Sequence, residues 1–140
     1  MTLKSSATFD VPASVLYKTF LDSGDLSRMT RSQATMEPKV DGEWTIFNGS
    51  VRGKILQLEQ DRRIVQTWKF ASWKDTDESK VVISFVSQGP ACTTISVEQS
   101  GVPSHDRYGN PDQETLCLNG WEDKYWSGMA KLLGYPRNKD

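Results

Sequence analysis

Histidine and cysteine are nearly absent from these 140 residues, which hold one histidine, His105, and two cysteines, Cys92 and Cys117. That donor set is too thin for a zinc centre, and neither H-E-x-x-H nor C-x-x-C spacing occurs, so no metal is expected. In a reducing compartment the cysteines read most simply as buried free thiols, with a single disulfide as the alternative. Glycine-rich phosphate loops of the G-x-x-x-x-G-K or G-x-G-x-x-G type are missing as well, and with them any local support for a nucleotide or other cofactor. No G-x-S-x-G elbow offers a nucleophile. A catalytic triad would have to use His105, inside the polar run Pro103-Ser104-His105-Asp106-Arg107. Neighbours in a polar loop hold a productive geometry poorly, so an exposed structural histidine, and no enzyme, is the plain reading.

An excess of either charge is also lacking: 17 Lys and Arg stand against 18 Asp and Glu, for a net charge of -1. No bulk field draws the chain to nucleic acid or to an anionic membrane surface. No apolar run approaches the roughly 18 to 20 residues of a membrane helix, and Met1-Thr2-Leu3-Lys4 has no signal-peptide core. The expectation is one cytoplasmic domain over residues 1–140, monomeric, with no nucleic acid and no membrane as partner. Asn48-Gly49-Ser50 has the form of a glycosylation acceptor, but without a secretory route it reads as a turn.

What is present is periodicity. Thr2 to Phe9 reads as a strand, and Pro12 opens a helix whose apolar face is Val15, Leu16, Phe20 and Leu21, with Gly24 just past its end. A second short helix is expected over about Leu26 to Thr30. Asn48-Gly49 between apolar runs is a hairpin signal. Ile64, Gln66, Trp68 and Phe70, then Val81, Ile83 and Phe85, then Thr93, Ile95 and Val97 keep the two-residue period of half-buried antiparallel strands. Pro38 and Gly42 leave the strand count between Thr35 and Glu43 open. Gly101 to Asp112 reads as a loop. Beyond it Leu118, Trp121, Tyr125, Met129 and Leu132 form the seam of a long helix ending at Gly134, with Pro136 blocking continuation and the adjacent Glu122 and Asp123 on the solvent side. An α+β helix-grip fold satisfies every face: a curved antiparallel sheet of about six or seven strands wrapped around a long carboxy-terminal helix, with one or two short helices after the first strand.

Two features point toward binding. Five tryptophans are many for this length. Trp44, Trp68 and Phe85 on strands and Trp121, Tyr125 and Met129 on the helix either close a core or line an apolar cavity for a small ligand beneath the helix. The second is Arg28-Met29-Thr30-Arg31-Ser32, a run of residue types favoured at protein interfaces, or else a solvated basic helix end.

The sequence also resembles a known family, the activators of the heat shock protein 90 ATPase, in their carboxy-terminal domain. The resemblance is carried by Phe9-Asp10-Val11-Pro12-Ala13-Ser14-Val15-Leu16-Tyr17, Arg28-Met29-Thr30-Arg31-Ser32 and Phe47-Asn48-Gly49-Ser50-Val51-Arg52-Gly53. It continues through Ile64-Val65-Gln66-Thr67-Trp68-Lys69-Phe70, Ser72-Trp73, Gly101-Val102-Pro103, Gly120-Trp121, Tyr125-Trp126, Gly128 and Leu133-Gly134-Tyr135, in order along almost the whole chain. It implies the helix-grip, START-like fold and a co-chaperone that does no chemistry itself. The partner implied is heat shock protein 90, contacted at its ATP-binding amino-terminal domains so that the closed, ATP-hydrolysing state is favoured. Arg28, Met29, Thr30, Arg31 and Ser32 are the contact residues it suggests. Larger family members carry a preceding domain with a basic chaperone-contacting motif that is not in this sequence, so weaker binding and weaker stimulation are expected of a lone second domain. A helix-grip module for a small apolar ligand is the alternative.

Overall fold

Alternating burial along the middle strands sets the architecture. In the computed structural model, which describes residues 2–134, the strands are β1 (Thr2–Phe9), β2 (Thr35–Met36), β3 (Glu43–Ile46), β4 (Val51–Glu59), β5 (Arg63–Phe70), β6 (Ser79–Gly89) and β7 (Cys92–Ser100). They form one seven-stranded sheet in the order β1-β7-β6-β5-β4-β3-β2, with every neighbouring pair antiparallel. This is the expected helix-grip sheet at its upper strand count. The stretch between Thr35 and Glu43 contributes only the two-residue edge strand β2, paired to Thr45 and Trp44. Register shifts between Ile55 and Gln57 and between Ser87 and Gly89 are irregularities of the kind that bend a strand and help a sheet curve.

Helices α1 (Ala13–Phe20) and α2 (Ser23–Thr30) carry the chain from one sheet edge to the other. Pro12 sits at the N-cap of α1 with extended backbone, one position earlier than its sequence suggests. The buried side of α1 is Leu16, Thr19 and Phe20, with Ala13 and Tyr17 packed beside it. Val15, expected on that face, is 39% exposed. Positions 13, 16, 17 and 20 lie on one helical stripe, and 15 falls off it. Gly24 lies inside α2 rather than between the helices, because Asp22 accepts the backbone N–H of Asp25 and starts α2 three residues earlier than expected. The β3–β4 loop holds Phe47, Asn48 and Gly49, all at positive φ, so the Asn-Gly signal marks a hairpin whose loop is longer than two residues.

The last element is continuous from α3 (Gln113–Asn119) through a π-helical segment (Gly120–Trp126) to α4 (Ser127–Leu133). Its seam is Gln113, Cys117, Trp121, Tyr125, Trp126 and Met129. Leu118 and Leu132, expected in the seam, are only half-buried, because the π turns retard the helix and bring two successive aromatics, Tyr125 and Trp126, to the core side. Gly134 caps the helix in the left-handed region as expected; Tyr135 and Pro136 lie outside the described residues.

Indole hydrogen bonds tie this helix to the sheet. Trp121 Nε1 donates to Gln99 Oε1 at 3.0 Å and Trp126 Nε1 to Ser5 Oγ at 2.8 Å. Gln99 Nε2 donates to Ser79 Oγ at 2.9 Å, and Ser79 in turn donates to the Trp68 carbonyl. Ser5 Oγ donates to Glu122 Oε1 at 2.9 Å, so half-buried Glu122 is not on the solvent side as its pairing with Asp123 suggests. Two glycines mark close approaches. A Cβ on Gly53 would stand 1.9 Å from the Thr67 carbonyl oxygen, and one on Gly128 would stand 2.1 Å from that of Met29, where α4 crosses α2.

Gly128→Ala therefore forces the α2–α4 crossing apart and is expected to lower stability by about 2 kcal/mol in urea denaturation. Gly120→Ala is its control. That site has ordinary helical backbone and nothing within 4 Å of an added Cβ, so a gain approaching about 1 kcal/mol is expected there.

Candidate functional site

Arg28 to Ser32 end helix α2, and the structure separates their roles. Met29 is 2% exposed and packs into the core, so its side chain is not offered to a partner. Thr30 Oγ1 donates to the Leu26 carbonyl at 2.8 Å, and Ser32 Oγ lies 3.1 Å from Thr30 Oγ1, both bonds serving the helix end. Arg28 is exposed and paired with Asp25 one turn earlier on the same helix. Arg31 is the C-cap at φ 56 and ψ 37, a left-handed conformation that costs a residue with a Cβ about 1 kcal/mol. Its backbone N–H donates to the Ser27 carbonyl, while among the described residues its side chain makes no ion pair and no hydrogen bond.

Met29, Thr30 and Arg31 line a cleft of about 250 Å³ against the π segment and α4. Lys124, Ser127 and Lys131 form its other wall, with Asp123 beside them. Arg31, Lys124 and Lys131 are exposed. Three cations around one carboxylate make a surface that favours acidic groups. Sequence reasoning found the arginine and missed the lysines. Their signal was the helical step of seven from Lys124 to Lys131, which puts two lysines on one helix face.

A second concavity lies at the other side of the π segment. It encloses about 340 Å³ between the β3–β4 hairpin, β5 and the helix. Of the six aromatic and methionine positions expected around an apolar cavity, Trp68, Trp121 and Tyr125 line it, while Trp44, Phe85 and Met129 are buried elsewhere in the core. Phe47, Val51 and Phe70 complete the apolar wall instead. The hairpin turns Phe47 to this side through its positive φ of 51°, which alternation alone does not show.

His105 is exposed, with Nδ1 2.7 Å from Ser104 Oγ. The third member of a triad is committed elsewhere: Asp106 accepts from the backbone of Tyr108 and Asn110 and from the Asn110 amide, each at 2.9 Å. Arg107 reinforces the turn by donating to the Trp73 carbonyl at 2.7 and 3.1 Å. The loop is thus more tightly bonded than its polar composition suggests. Among the described residues no cluster of metal-ligating side chains occurs, and no helix is long and apolar enough to cross a membrane.

With fold and surfaces in place, residues 10–134 match the family described as Activator of Hsp90 ATPase homolog 1-like protein. The chain belongs to this family. An uncharacterized protein of Schizosaccharomyces pombe is 35% identical over 95% of this chain and 37% of its own length. The activator of 90 kDa heat shock protein ATPase homolog of Dictyostelium discoideum is 31% identical over 96% of this chain and 33% of its own. The chain thus spans about a third of the length of these curated relatives. A crystal structure described as an HSP90 activator from Plasmodium falciparum superposes with a TM-score of 0.94 at 29% identity, covering 99% of both chains.

In this Hsp90-activator-family domain the buried seam also sets the behaviour of its titratable groups. Burial pushes the Cys117 thiol from 9.0 up to about 12, with the neighbouring Gln99 side chain acting in the opposite sense. Burial likewise pushes the Tyr125 phenol upward, against the bond it accepts from Trp68 Nε1 at 3.5 Å. Both cysteines are free, Cys92 half-buried and Cys117 buried. Each raised group keeps its proton in the folded state at a pH where the unfolded chain has released it. Its contribution is complete below the unfolded value and is lost as pH climbs from there toward the folded one. The urea midpoint is therefore expected to fall as pH rises above about 9, and Cys117→Ala is expected to flatten the first part of that decline. A midpoint constant from pH 8 to 10.5 would contradict this account of the seam.

Proposed function

We propose that this chain is a cytoplasmic co-chaperone that binds heat shock protein 90 and stimulates its ATPase by favouring the chaperone's closed state. The reading rests chiefly on family membership over residues 10–134, supported by the near-complete superposition on a structure described as an HSP90 activator. Such a role asks for a surface rather than an active site, and the chain's polar groups are arranged to suit. Asp106, the partner a His105 triad would need, is spent on its own loop. The side chains of Arg31, Lys124 and Lys131 are exposed around the cleft and make no ion pair among the described residues, as suits a docking surface for acidic side chains.

The mechanism is a population shift. A partner raises the closed fraction only by the ratio of its affinities for the closed and open states, and a tenfold ratio corresponds to about 1.4 kcal/mol. The co-chaperone takes no part in hydrolysis; it contacts the ATP-binding amino-terminal domains and prolongs the arrangement in which the chaperone hydrolyses. The share of that effect carried by a domain spanning a third of its relatives' length is set by how well it docks without a tethered neighbour.

Titrating the protein into heat shock protein 90 while following ATP turnover and binding tests the proposal, and saturable stimulation is the expected result. Neither binding nor stimulation by the folded protein would end it. Arg31 gives a sharper test, because glycine removes the left-handed strain together with the charge. Arg31→Gly is expected to raise the thermal midpoint while weakening chaperone binding about fivefold, the size of a charged rim contact of about 1 kcal/mol. Arg31→Glu is expected to weaken it further. A stabilised Arg31→Gly with unaltered affinity would make Arg31 a helix cap and nothing more.

A further inference from the structure

We infer that the basic cleft between α2 and α4 takes the phosphate group of a phosphorylated serine or threonine side chain. This deepens the reading of that cleft as a docking surface and rests on it only for which partner carries the phosphate. The first observation is a surplus of idle donors. The side chains of Arg31, Lys124, Ser127 and Lys131 share the cleft, and among the described residues none of them makes an ion pair or a hydrogen bond. Asp123 lies in the same cleft and pairs with none of them. Three cations against one carboxylate leave a surplus of two positive charges. The partial negative charge at the carboxyl end of α2, about half a unit, does not reverse that balance. A phosphate monoester carries about 1.5 to 2 negative charges near neutral pH and three acceptor oxygens, which matches both the surplus and the number of cations. A carboxylate brings one charge and two oxygens, and leaves a cation without a partner.

The second observation is the backbone of Arg31. It caps α2 at φ 56, a left-handed conformation that glycine adopts freely and a residue with a Cβ does not. Nothing the side chain does inside the domain offsets that strain, since it bonds to no described residue. A strained residue with idle donors points to a partner outside the domain.

The third is rigidity. Met29 is buried, and its carbonyl oxygen would stand 2.1 Å from a Cβ on Gly128, so the backbones of α2 and α4 meet beside the cleft. Thr30 Oγ1 bonds the Leu26 carbonyl and secures the helix end. The backbones that carry the four donors are therefore fixed relative to one another before any ligand arrives, which lowers the cost of gathering them on one group. The donors are all exposed, so this cleft of about 250 Å³ opens to solvent. It suits a group presented on a chain better than a free metabolite, which a site must enclose.

The probes are blocked tripeptides Gly-X-Gly with phosphoserine, glutamate or serine at X, together with inorganic phosphate. They are titrated into the whole chain at neutral pH, without the chaperone, and followed by 1H–15N NMR. The backbone signals of Arg31, Ser127, Gly128 and Lys131 are expected to move. The phosphoserine peptide is expected to bind about tenfold more tightly than the glutamate peptide, and the serine peptide not to bind. Arg31→Gly, Lys124→Gln and Lys131→Gln are each expected to weaken phosphopeptide binding about fivefold. Lys80→Gln, which removes the same charge from an exposed position on β6, is expected to leave it unchanged. Because no chaperone is present, failure here is separate from failure of the co-chaperone reading, which is decided by ATP turnover. Equal affinity for the phosphoserine and glutamate peptides would assign the cleft to carboxylates, and tighter binding of inorganic phosphate than of the phosphopeptide would make it a site for a free anion. Unaltered phosphopeptide binding in Lys124→Gln and Lys131→Gln would place the phosphate elsewhere. Each of these results would overturn the inference.

Discussion

Buried indole nitrogens must be met by an acceptor, and that requirement organises this domain. A tryptophan side chain contributes a large apolar area, but its N–H costs a few kcal/mol if it enters the core unpaired. Here Trp121 finds Gln99, Trp126 finds Ser5 and Trp73 finds Gln113. Among the described residues the Trp44 nitrogen alone is buried without a partner. Because Ser5 and Gln99 project from β1 and β7, the helix can settle on the sheet in only one rotation and one height. Leucines in the same places would pack as well and specify less.

That single seating is what creates the two surfaces on either side of the π segment. On one side the helix meets α2 at the Gly128 backbone contact and leaves Arg31, Lys124 and Lys131 around a polar cleft. On the other it stops short of the hairpin and leaves an apolar groove. Asp123 and Lys124 belong to the rim of both. Neither surface arises from a motif in the chain; each is a gap left by how the helix is held.

The order of elements, the strand periods and the long helix were all legible in the sequence, because alternation and helical spacing are local properties. So was the basic run at Arg28 to Ser32, although not the inward turn of Met29. The polar residues facing the helix carried a usable signal that apolar counting passes over: Gln99 and Ser79 stand at core parity in strands whose other inward positions are Val81, Ile83, Phe85, Thr93, Ile95 and Val97. A polar side chain in such a place announces a buried partner. What alternation could not show was the seam. Leu118 fits a 3.6-residue period better than Cys117 does, and only the π turns make Cys117 the buried one. The groove wall escaped for a related reason, since Phe47 enters it through a left-handed backbone.

The π segment also keeps the helix in phase. Gln113, Cys117, Trp121, Tyr125 and Met129 are spaced four apart, a step that drifts about 40° each time around an α-helix. Wider turns absorb the drift, so α3 and α4 face their separate partners without twisting against each other. Seen this way, the segment is a stored insertion. Removing one residue from it would restore a regular α-helix and leave Gly128 against the backbone of α2. What would be lost is the adjacency of Tyr125 and Trp126 on the buried side, since a regular helix turns successive residues about 100° apart. The irregular turn is thus what lets one helix present two neighbouring aromatics to a single sheet.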